Sequence, residues 1–196
     1  MSTTPAVKTK PGRRGTWLAA ATATGAIVLA SPDLMSFLGR WEGDEQYVVY
    51  ADKLAGGLPT VCRGLTRHVT STPIVVGERW TPEKCDREEC AAVVKVQLQL
   101  APCFQIQPGQ VVFDMATSHA WNLGAASTCG SGAMAAWNRG EWDLGCQRIS
   151  RGDDGKLVWS FTSHIDPATG QKVYTFLQGL ANRRAAETAR CAGATP

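Results

Sequence analysis

"WEGDEQYVVYADKLAGGLPTVCRGLT", residues 41–66, sets a carboxylate beside a glycine at Glu42-Gly43, a second carboxylate at Asp52 and a hydroxyl at Thr60. Aromatic and β-branched residues broken by Gly56, Gly57 and Pro59 predict short strands joined by turns, a small sheet. Just upstream, Ser31 is a good N-cap and Pro32 a good first helical residue. Leu34, Phe37, Leu38 and Trp41 then recur at i, i+3, i+4 and i+7, one apolar helical face, and Gly43 ends it. Glu42 is therefore expected on the last helical turn. The dipole there disfavours a carboxylate and favours its protonated form, the form a general acid uses.

Further along, Thr81 and Pro82 in "RWTPEKC" mark a second helix start, with acids crowding its first turns. The "VVKVQLQL" that follows alternates like a strand, but the strong start signal favours helix. "GQVVFDMATSHAWNLG" reads as a helix stopped by Gly124, and "STCGSGAMAAWNRGEW" as a short helix between glycines. Two β-like runs around residues 167–170 predict a hairpin. "LQGLANRRAAETARC" reads as a closing helix carrying Arg183, Arg184 and Arg190. The expected class is α+β, mostly helical, with a small β subdomain in the N-terminal third.

The chain has 196 residues, enough for one domain with a real core, and at 44% hydrophobic residues it is not a disordered chain. Lys8, Lys10, Arg13 and Arg14 precede the first acid; without those four the net charge of +3 becomes −1. A nearly neutral body offers no basic stripe for nucleic acid. The basic start leads into an uncharged run at residues 15–31, shorter and less apolar than the roughly 20 residues of a spanning helix. This predicts a secretory signal, with cleavage after Ala30, or a weak signal-anchor. Residues 1–31 are thus read as a targeting segment and residues 32–196 as the folded domain. Seven cysteines fit an oxidising compartment, their odd number leaves at least one thiol unpaired within the chain, and no paired CxxC suggests zinc. The seven Trp are read as core residues first and sugar-stacking surfaces second.

Two carboxylates and a hydroxyl delivered by a helix end and a small sheet suit glycoside hydrolysis. One carboxylic acid protonates the leaving oxygen and the other carboxylate activates water, about 6.5–9.5 Å away in inverting enzymes. Glu42, on the helix, is the better acid than Asp44 or Glu45 in the loop. Other candidates are weaker: His68, His119 and His164 are scattered, and His119 sits in an apolar helix as a structural residue would. Cys62 reads as a structural thiol or a disulfide partner of Cys85 or Cys90.

The pattern Glu42-Gly43, Tyr50-Ala51-Asp52, Gly56-Gly57 and "TVCRGLT" (60–66) resembles the active-site region of the phage-type lysozymes, the glycoside hydrolases of tailed-phage endolysins. The likeness continues through "PIVVGERWTPEKC", "AWNLG" with the following "ST", "WNRGEW" and "GLANRRAAE" (179–187), and covers about residues 34–191. Leu65 stands where the family commonly has His, and residues 153–176 form a longer segment than usual. The resemblance implies a lysozyme-like fold with a cleft and hydrolysis of the β-1,4 bond between N-acetylmuramic acid and N-acetylglucosamine in peptidoglycan. Glu42 would be the general acid, Asp52 would activate the water, Thr60 would position it, and Arg183 would hold Glu42 or substrate. No metal or cofactor is implied. The enzyme would be an exported monomer, held on the inner membrane by its N-terminal segment and then freed into the periplasm. A lytic transglycosylase and a non-catalytic wall-binding protein are the rival readings.

Overall fold

The computed structural model describes residues 26–43, 45–53 and 56–193. The basic start and most of the apolar run expected of the targeting segment lie outside these residues. The described end of that run packs on the body: Ile27 and Leu29 lie against the main core. The Gln110 side chain accepts from Val28 N–H (2.8 Å) and donates to Val28 C=O (3.0 Å), while Gln97 accepts from Ala30 N–H (2.8 Å). Among the described residues no helix is long and apolar enough to cross a membrane.

Helix α1 (Pro32–Gly39) starts as its sequence dictates, with Ser31 Oγ accepting the Leu34 N–H at 3.1 Å. It stops earlier than expected, and Trp41 and Glu42 continue as a turn whose N–H groups both donate to Leu38 C=O. Gly43 then takes φ +78°, which a side chain would strain, and turns the chain into the sheet. Strands β1 (Gln46–Asp52), β2 (Leu58–Cys62) and β3 (Leu65–Thr66) form an antiparallel sheet in that order. Its core is Val49, Val61, Leu65 and Trp80, closed by the Cys62–Cys85 disulfide.

The long helix α2 (Pro82–Leu100) connects this lobe to the helical one, capped by Thr81 on the Lys84 N–H at 3.2 Å. The alternating "VVKVQLQL" is its last part: the capped start and tertiary packing outweigh a local strand pattern. A 3-10 turn (Ala101–Cys103) precedes α3 (Gln110–Leu123), α4 (Ala125–Cys129), α5 (Gly132–Trp137) and α6 (Trp142–Gln147). Strands β4 (Phe161–Ile165) and β5 (Lys172–Phe176) form the expected second hairpin, and α7 (Gln178–Ala192) closes the chain. The main core, around Phe104, Phe113, Met115, Met134 and Trp137, lies among α3, α5, α6 and α7. Cys103–Cys129 and Cys146–Cys191 bind this lobe, and each of the three disulfides contributes about 3–4 kcal/mol by constraining the unfolded chain. Cys90 is the thiol left over.

Candidate active site

Glu42 sits where α1 has ended but its turn still holds. Its Oε1 accepts a hydrogen bond from Arg183 Nη1 at 2.8 Å, joining residues 141 positions apart. The Glu42 side chain keeps 23% of its surface exposed while Arg183 keeps 6%, so the carboxylate meets solvent and the guanidinium backs it from inside. Arg183 and Arg184 could have formed a solvated face of α7; both are buried. Arg183, the residue expected to hold Glu42, does contact it.

Asp52 and Thr60 come from one hairpin. Tyr50 pairs with Thr60 and Asp52 with Leu58, so all four side chains belong to the same face of the pleat. Asp52 and Thr60 are diagonal neighbours on that face, roughly 7–8 Å apart by sheet geometry. Gly56 and Gly57, both at positive φ, make the turn between them, and Gly57 N–H donates to Asp52 C=O at 2.7 Å. Thr60 is buried and donates its hydroxyl to Leu58 C=O at 3.0 Å.

A small recess opens beside Glu42, and neither Asp52 nor Thr60 is among its lining residues. Leu38, Gly39 and Glu42 line it from the α1 end, Arg63 from the β2–β3 turn, Glu89 from α2 and Trp121 from α3. Trp121 packs against both the sheet core and the α1 cluster, so it lies at the junction of the lobes. Arg63 follows Thr60 by three residues and ties its turn to α2. Its backbone N–H and its guanidinium each meet Glu89 at 3.0 Å, and Nη2 reaches Glu45 at 3.3 Å. Burial pushes the Glu89 carboxyl up, against the lowering pull of Arg63.

Behind Arg183 lies a buried polar cluster that sequence reasoning missed. Glu187 Oε1 accepts from Ser118 Oγ at 2.7 Å, Arg184 Nη2 at 2.7 Å and Arg183 Nε at 3.4 Å. Burial raises the Glu187 carboxyl, and Arg184, Ser118 and Arg183 oppose that rise. The available signal was the spacing of Arg183 and Glu187 at i, i+4 inside "GLANRRAAE". His119, next to Ser118, is structural as expected. Its Nδ1 is 2.8 Å from Thr128 Oγ1, and its ring stands edge-on to Trp159. Among the described residues no group of His, Cys, Asp and Glu is arranged to hold a metal ion.

The arrangement offers a partly exposed carboxyl backed by a buried cation and, on one hairpin face, a second carboxylate and a hydroxyl. The chain is similar in structure to an endolysin from Escherichia coli O157:H7 phage FAHEc1, with TM-score 0.68 and 22% identity, covering 87% of this chain and 97% of that one. It is similar to the muramidase domain of SpmX from Asticaccaulis excentricus, with TM-score 0.65, 20% identity and coverage of 87% and 100%. A mutant of P22 lysozyme matches with TM-score 0.61, 20% identity and coverage of 84% and 98%. At these identities the likenesses establish the fold, an α+β lysozyme-like one dominated by helices. No curated protein sequence matches the chain. The phage lysozyme family model matches residues 39–187, from the end of α1 to Glu187 on α7, and the chain therefore belongs to the phage lysozyme family, as a glycoside hydrolase of the lysozyme type.

Proposed function

We propose that this chain is an endolysin that hydrolyses the β-1,4 bond between N-acetylmuramic acid and N-acetylglucosamine in peptidoglycan. The observation that carries the assignment of roles is the Glu42–Arg183 contact, a solvent-reachable carboxyl on a buried guanidinium at the mouth of the recess. Glu42, protonated, gives its proton to the glycosidic oxygen as the bond to the sugar carbon breaks. The cationic sugar is attacked by a water whose proton passes to Asp52, with the Thr60 hydroxyl helping to orient that water. Proton return from Asp52 and uptake by Glu42 through solvent reset the site. Arg183 stabilises the carboxylate that Glu42 becomes. General acid catalysis of this kind contributes about 10²–10⁴-fold.

The enzyme acts outside the cytoplasm as a monomer, and the basic, weakly apolar start of the chain holds it at the inner membrane before release into the periplasm. The domain boundary near residue 31 belongs to the same reading. The packing of residues 27–30 on Gln97 and Gln110 supports release with these residues retained over removal by cleavage after Ala30. Mass spectrometry of the N-terminus of the periplasmic protein decides between them.

The test of the chemistry is digestion of purified Gram-negative peptidoglycan with the wild type, Glu42→Gln, Asp52→Asn and Thr60→Ala, reading products by mass. Hydrated muramic reducing ends that vanish with Glu42→Gln and largely with Asp52→Asn are expected. Anhydro ends, with Asp52→Asn still active, would instead make the chain a lytic transglycosylase. No cleavage by the wild type would leave a wall-binding protein on this fold.

A further inference from the structure

We infer that Glu187 is a positioning residue for the general acid, acting on Glu42 through Arg183; this rests on the muramidase reading of Glu42. The Arg183 guanidinium is held at two places. Nη1 meets Glu42 at 2.8 Å and Nε meets Glu187 at 3.4 Å. A guanidinium is planar, so a bond at Nε restricts where Nη1 can point. Glu187 is itself held from two directions, by Ser118 of α3 and by Arg184 one residue beyond Arg183, both at 2.7 Å. The chain of contacts therefore runs from a helix of the main core, through the buried Glu187 and Arg183, to the carboxyl at the recess.

The charges give this chain its chemical sense. Arg183, Arg184 and Glu187 are all buried, and together they leave one excess positive charge inside the protein. Ionised Glu42 balances it. An arginine serving Glu42 alone would favour the carboxylate strongly, which suits a base better than an acid. Sharing Arg183 with Glu187 weakens that pull, so Glu42 can hold a proton and still find a cation waiting when the proton leaves. Arg63 and Glu89 share the recess with Glu42, and from α3 the neutral imidazole of His119 lies near both arginines.

A core ion pair that only fastens α7 would not require this route to Glu42. Burying the pair also has a price in stability, since among the described residues Arg183 Nη2, Arg184 Nε and Nη1, and Glu187 Oε2 find no hydrogen-bond partner. A well-packed apolar core would hold α7 as well.

The test measures kcat and KM on purified peptidoglycan across pH for the wild type, Glu187→Gln, Ser118→Ala, Arg183→Ala and the Arg183→Ala/Glu187→Gln double variant. Glu187→Gln should lower kcat about tenfold by misplacing Arg183 while KM holds. Its alkaline limb should move to lower pH, because Arg183, relieved of Glu187, is left to Glu42 alone. Ser118→Ala keeps every charge and should shift kcat in the same direction by less; it decides the matter if Glu187→Gln does not fold. In the Arg183→Ala background Glu187→Gln should add no further loss, since its effect passes through Arg183. Wild-type kcat and pH limbs in Glu187→Gln and Ser118→Ala, or losses that multiply in the double variant, would overturn the assignment. A wild type that does not cleave peptidoglycan defeats the muramidase reading instead. The Arg183 Nε–H resonance then decides: slow hydrogen exchange in the wild type, lost in Ser118→Ala, supports the link, and unchanged exchange overturns it.

Discussion

Arg183 and Arg63 approach the Glu42 recess from different elements, and each holds two carboxylates, yet they are built for different work. Arg183 comes from a helix, keeps 6% of its side chain exposed and touches Glu42 itself. Arg63 comes from a turn, keeps 30% exposed and binds Glu89 and Glu45 instead. Burial strengthens a charge pair and also raises the cost of breaking it, whereas exposure lets water and salt weaken both effects. Arg183 can thus act electrically on Glu42, while Arg63 acts as a brace between the sheet lobe and α2.

The largest expected effect tests the buried arginine. Arg183→Ala should lower kcat by about 10²-fold; it leaves Glu187 still paired with Arg184 at 2.7 Å, so the loss of stability should stay at about 1–3 kcal/mol. Steady-state kinetics and urea unfolding read the two separately. An effect on stability alone would make Arg183 another brace and erase the contrast.

On the Arg63 side the covalent tie should matter more than the ionic one. Replacing Cys62 and Cys85 by Ser should cost about 3 kcal/mol in denaturant midpoint analysis. Arg63→Ala should cost only about 1–2 kcal/mol, because its backbone N–H still reaches Glu89, and kcat should fall by no more than a few-fold. A loss of activity as deep as that of Arg183→Ala would mean that the two arginines share one role.

The last expectation concerns pH. Burial, helped by Arg184 and Arg183, lowers the His119 pKa from 6.5 to about 3. The folded state then binds fewer protons than the unfolded chain, so this contribution to stability is complete above pH 6.5 and is lost as pH falls toward 3. The slope is at most about 1.4 kcal/mol per pH unit. His119→Leu should be flatter across this range in thermal unfolding, and an unchanged slope would show that the fold does not hold His119 neutral.

What could be read from the sequence was local. Ser31-Pro32 and Thr81-Pro82 start helices because a cap and a proline act within one turn. The short strands on either side of Gly56 and Gly57 were legible for the same reason, whereas the register that puts Tyr50, Asp52 and Thr60 on one face came only with the pairing. The pairing of Cys62 with Cys85 over Cys90 depends on which face of α2 meets the sheet, which no spacing specifies. Glu187 escaped notice because its meaning depends on Ser118, 69 residues earlier, and on α7 packing inward with both arginines. The early end of α1 at Gly39 likewise follows from how the chain turns into the sheet.

The second hairpin closes on itself. Leu177 N–H donates to Ser160 C=O at 2.9 Å, Phe161 pairs with Phe176, and all ten strand residues are exposed. Entry and exit therefore meet at one neck, just ahead of the helix that carries Arg183. For an engineer this is a cassette site: residues 161–176 can be exchanged for an affinity tag, a fluorescent reporter or a targeting peptide, with the neck bond keeping the frame of α7 unchanged.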